Sequence, residues 1–114
     1  MIRLGSTILS NHLYVVISDP AKHDGKCVIV NVTTQRAISD TTCVLQPGEH
    51  PFLKHNSVIN YEDAIKTSAA AIEMSLKKGL VCSHSDMPSK VLERIIAGAK
   101  NGDSFPVRLK KYLS

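Results

Sequence analysis

Long apolar runs are missing from this chain. Its most continuous stretches, Leu13–Ile17 and Cys27–Val30 among them, stop at four or five residues, far short of the roughly 20 that span a bilayer. The first nine residues carry Arg3 but are broken by Gly5, Ser6 and Thr7. A secretory signal needs about 7–15 continuous apolar residues, so none is expected there. The three cysteines, Cys27, Cys43 and Cys82, cannot all pair and form no CxxC motif. That scatter suits a reducing compartment better than a disulfide framework. Tryptophan is absent and only five other aromatic residues occur. Low-complexity tracts, heptads and collagen-like periods are lacking too, which excludes disordered and fibrous classes. These absences predict a soluble cytoplasmic protein with no membrane segment.

What remains is 114 residues, 43% of them hydrophobic, a length expected for one domain over 1–114. The formal net charge is +4, and most of the excess lies at the end of the chain, where Lys100 and, in the tail 101–114, Arg108, Lys110 and Lys111 stand against Asp103 alone. A mild basic excess permits a polyanionic partner without requiring one.

Two periodicities divide the chain near residue 66. Over 1–66, β-branched runs at His12–Ser18 and Lys26–Thr34 are separated by Asp19-Pro20 and Asp24-Gly25. Shorter runs at Thr41–Leu45 and Ser57–Tyr61 follow, and Thr7–Leu9 adds a possible opening strand. Spacing of this kind predicts a small antiparallel barrel or sandwich. Over 67–100 the period lengthens to that of two helices. Ser68 caps the first, with Ala69, Ile72 and Leu76 on one face and Gly79 at its end. Ser85 or Asp86 precedes Pro88 at the second, whose stripe is Val91, Leu92, Ile95, Ile96 and Ala99, ended by Asn101-Gly102. Phe105–Leu113 reads as a last strand or a basic extension. The fold class expected is α+β: a mainly β barrel followed by two helices.

The strand His12–Ser18 with its Val15-Val16-Ile17-Ser18 core, the strand ending Val32-Thr33-Thr34-Gln35, and the later Ser57–Tyr61 strand together resemble the PemK/MazF family of bacterial toxin endoribonucleases. The resemblance spans about residues 10–66. It implies an SH3-like barrel, usually a homodimer, that cleaves single-stranded RNA without a metal or other cofactor and is restrained by an antitoxin protein. Thr33 matches the family's catalytic threonine. His12 stands where the family has an arginine, and the Gly-Ser-Glu-Gln loop of many members is missing.

Metal-independent RNA cleavage needs a base near the 2′-hydroxyl, an acid at the leaving 5′-oxygen and donors for the charged phosphorane. Histidine suits the first two tasks and Arg or Lys the third. The densest supply is the proline-bracketed segment Pro47–Ser57, with His50, His55, Lys54 and Ser57. Thr33, Thr34 and Arg36 end a neighbouring strand, and His12 begins another. His50 or His55 is thus the expected acid or base, with His12 a further catalytic candidate, Arg36 or Lys54 the phosphorane donor, Thr33 the phosphate-positioning residue, and Thr34 and Ser57 further RNA contacts. Each also has a structural reading: the histidines as hydrogen-bonding loop residues, the threonines as good strand formers. Asp40 is read as a turn cap. Cys43, His50, His55 and Cys82-Ser83-His84 raise zinc as an idea, but their spacing lacks paired ligands, so no metal site is expected. The rival function is a non-catalytic SH3-like binding module, for protein or nucleic acid, that has lost the family's arginine.

Overall fold

Strands form where the β-branched residues cluster. The computed structural model describes residues 1–114. Its strands are β1 (Thr7–Leu9), β2 (Leu13–Val16), β3 (Lys26–Thr34), β4 (Val44–Leu45), β5 (Ser57–Ser68) and β6 (Cys82–His84). They make one antiparallel, curled sheet in the order β4-β5-β3-β2-β1-β6. The helices are α1 (Ala69–Lys77) and α2 (Ser89–Asn101), with 3-10 turns at Pro20–Lys22 and Val107–Leu113. No helix is long and apolar enough to cross a membrane.

Alternation along the strands builds a core on each face of the sheet. Leu13, Val15 and Ile17 join Val28, Val30 and Val32 on one face, where Val91, Ile95 and Ala99 of α2 pack with Phe105 and Leu109. On the other face Val16, Cys27 and Ile8 pack with Ile72 of α1 and Ile2. The two helices therefore cover opposite faces. Ser68 caps α1 as its sequence position predicts, its Oγ accepting from the Ala71 amide at 3.1 Å. Pro88 occupies the cap of α2 with no side-chain bond, and Asp86 instead pairs with Arg3.

Three elements differ from the sequence expectations. The last strand of the sheet's first half continues past Tyr61 to Ser68. Its alternation is hidden because Val30 alone faces the four residues Tyr61–Ala64, a register shift between Ile29↔Ile65 and Asn31↔Asn60. Asn60 spans that bulge with a 2.8 Å bond to Asp63. The second difference is β6, a strand of Cys-Ser-His lying between the helices and paired with β1. The third is the tail, which is neither strand nor free extension. Buried Phe105 and Leu109 anchor it as a 3-10 turn.

Candidate functional site

Register decides which residues meet. Antiparallel pairing sets Leu13 opposite Val32, and Thr34 opposite Ser57. The start of β2, the end of β3 and the start of β5 consequently share one end of the sheet, and the Gln35 amide bonds the Asn56 carbonyl at 2.9 Å just beyond it. A cleft of about 360 Å³ opens there. It is lined by His12, by Thr33, Thr34 and Arg36, and by Lys54, His55 and Ser57, together with Asn11 and Phe52. Seven of the eight residues singled out in the sequence share this cleft, and no carboxylate lines it.

His50 is the exception. Only 1% of it is exposed, and both ring nitrogens are in use. Nδ1 accepts from the Phe52 amide at 3.1 Å, so Nε2 carries the proton and donates to the Ser85 carbonyl at 2.6 Å. Burial, with the His84 ring 5.0 Å away, holds its pKa below the usual histidine range despite the bond to Ser85. The ring expected as an acid or base thus lies outside the cleft with both nitrogens bonded, a lock between the loop after β4 and the end of β6.

The remaining residues have defined settings. His12, Arg36, Lys54 and His55 are exposed, as is Thr34. Ser57 is buried and donates from Oγ to the His55 carbonyl at 3.0 Å, which orients the backbone of that histidine. The His12 ring meets Tyr14 edge-on at 6.5 Å. No three His, Cys, Asp or Glu side chains stand close enough together to hold a metal ion.

A larger, polar cleft of about 840 Å³ adjoins the first through Thr33, which lines both. Its acids are Asp40, Glu62 and Asp103. Asp40 caps its turn as read from the sequence, accepting from the amide and hydroxyl of Thr42, and also accepts from Ser104. These bonds, Ser104 first, keep its carboxyl below the usual range. Ser104 lies 64 residues away in the chain, so no local pattern announces this cleft. A phosphate-bearing ligand is thus attracted to one side of Thr33 and repelled from the other.

Beyond its bulge, β5 has no partner on the side away from β3, because β4 pairs only with Ser57 and Val58. Lys66, Arg108 and Lys111 line a groove beside that edge, the placement of cations by which proteins discourage edge-to-edge pairing. No protein-family model matches the chain, and no curated protein matches it significantly.

Proposed function

We propose that this chain is a metal-independent endoribonuclease for single-stranded RNA, a divergent toxin of the PemK/MazF type. The observation that carries the reading is the carboxylate-free cleft shared by two histidines, two cations and two threonines. In the reaction one of His12 and His55 takes the proton of a ribose 2′-hydroxyl. The 2′-oxygen attacks the adjoining phosphorus, the bond to the 5′-oxygen breaks, and the other histidine protonates that leaving oxygen. Products end in a 2′,3′-cyclic phosphate and a 5′-hydroxyl. Arg36 and Lys54 stabilise the charge on the phosphorane, while Thr33 and Thr34 position the phosphate. Ser57 contributes by holding the His55 backbone rather than by touching RNA.

The SH3-like description of the curled sheet, a homodimeric assembly, an antitoxin partner and a cytoplasmic site of action all go with this reading. They rest on the resemblance of residues 10–66 to that family. A second reading, a binding module for single-stranded RNA that does not cleave, is favoured by His12 standing where the family's arginine would be.

The test is incubation of a long single-stranded RNA with the purified chain in EDTA, beside the same sequence as DNA. Cleavage of the RNA alone, leaving cyclic phosphate ends, is expected. RNA that is bound but stays intact assigns the cleft to the non-catalytic module.

A further inference from the structure

Phe52 lines the basic cleft next in sequence to Leu53 and Lys54, yet 39% of it is exposed. Its position is not that of a loose surface residue. Its amide is tied to His50 Nδ1, and the next amide, Leu53, bonds the His50 carbonyl at 2.9 Å. Leu53 itself is buried in the core. The ring has one aromatic neighbour in the chain, His84, at 6.0 Å between centroids and 76° between planes. That contact is edge-to-face, so the ring lacks any parallel stacking partner of its own. A half-exposed aromatic on a pinned backbone, flanked by cations, is the arrangement on which unpaired bases stack while their phosphates meet Lys and Arg.

We propose that Phe52 is the stacking platform of the cleft, holding one unpaired base against its ring while Arg36 and Lys54 hold the neighbouring phosphates. This rests on the assignment of the cleft to single-stranded RNA and adds to it a requirement for a base. A polyanion without bases satisfies the cations but not Phe52. Duplex RNA keeps its bases stacked within the helix, so it also fails to engage the ring.

The chain has no tryptophan, which makes Phe52→Trp a single-site reporter. The probes are a 2′-O-methyl octaadenylate, which resists 2′-hydroxyl cleavage, and inorganic polyphosphate of matched charge. The octamer is expected to quench the fluorescence of the Phe52→Trp protein, and polyphosphate is expected to leave it unchanged. Phe52→Leu should bind the octamer about 10-fold more weakly than wild type and polyphosphate equally well. Equal octamer affinity in wild type and Phe52→Leu, or a tryptophan indifferent to the octamer, overturns the stacking role while leaving the RNA reading standing. A wild-type chain that binds neither probe overturns both.

Discussion

His50 Nε2 donates to the carbonyl of Ser85 across 35 residues of sequence, at 2.6 Å, and the Thr7 hydroxyl donates to the same oxygen, also at 2.6 Å. Through this carbonyl the loop after one edge strand, β4, is fastened to the end of the other edge strand, β6. The curl of the sheet is thereby held by side chains where no strand ladder closes it. The same loop carries Phe52, Lys54 and His55 into the cleft.

The lock works only with a neutral ring, since protonation would turn Nδ1 into a donor facing the Phe52 amide. The folded chain holds the His50 pKa below its ordinary value near 6.5, so the folded state binds fewer protons than the unfolded one. Stability from this site is complete above pH 6.5 and is lost as pH falls through the depressed folded value. Melting temperature should drop between pH 7.5 and 5. His50→Ala should cost about 1–3 kcal/mol at pH 7.5 and flatten that pH slope. Parallel slopes in the two proteins would show that another group governs the acid sensitivity.

Tyr61 and Gly98 make a second test. Tyr61 donates to the Ile95 carbonyl at 2.7 Å, and a methyl group placed on Gly98 would clash with the Tyr61 oxygen. Helix propensity alone favours Gly98→Ala by about 1 kcal/mol. The contact reverses the sign: overpacking of about 1–3 kcal/mol is expected to dominate. Thermal unfolding of Gly98→Ala measures the balance, and a variant more stable than wild type would contradict this packing.

Thiol chemistry distinguishes the three cysteines. Cys27 and Cys43 are buried and Cys82 is exposed. Burial pushes the Cys27 thiol up to about 11 and raises that of Cys43 as well. A thiolate-selective disulfide reagent at pH 8 should therefore label one cysteine rapidly in the folded chain and three in denaturant. Rapid labelling of three without denaturant would mean that the core is open.

Salt dependence reports the cations. Arg36 and Lys54 contact phosphates in the proposed complex. Removing either should lower the slope of log affinity against log salt by about 0.7 for a single strand. Lys66→Ala, on the far part of β5, should leave the slope unchanged. The binding isotherms of these variants at several salt concentrations decide the matter. Equal slopes for Arg36→Ala, Lys54→Ala and wild type would place the phosphates elsewhere.

Much of this architecture is legible in the chain because side-chain alternation and register are local. Val28, Val30 and Val32 mark a buried face, and antiparallel pairing of β2 with β3 brings His12 to the Thr33–Arg36 end without further information. The stripe Val91, Ile95, Ala99 likewise marks the packed side of α2. What escapes is non-local. Cys82-Ser83-His84 has no strand-like alternation and becomes β6 only because β1 offers it a free edge. Glu62 and Asp63 interrupt the apolar rhythm at the bulge, so a reading from composition ends β5 early. His50 has the chemistry of a proton shuttle, and only Ser85, far along the chain, reveals that its ring is already committed.

In the proposed reaction His12 and His55 form the acid–base pair of this cleft, an assignment that leaves His50 outside it. The most direct measurement is the initial rate of single-stranded RNA cleavage in EDTA, from pH 5 to 9, for wild type, His12→Ala, His55→Ala and His50→Ala. A bell-shaped profile is expected for wild type, with losses of about 10²–10⁴-fold for His12→Ala and for His55→Ala at the optimum. His50→Ala should keep its rate at temperatures where it remains folded. Full activity in His12→Ala or His55→Ala, or loss confined to a folded His50→Ala, would contradict it.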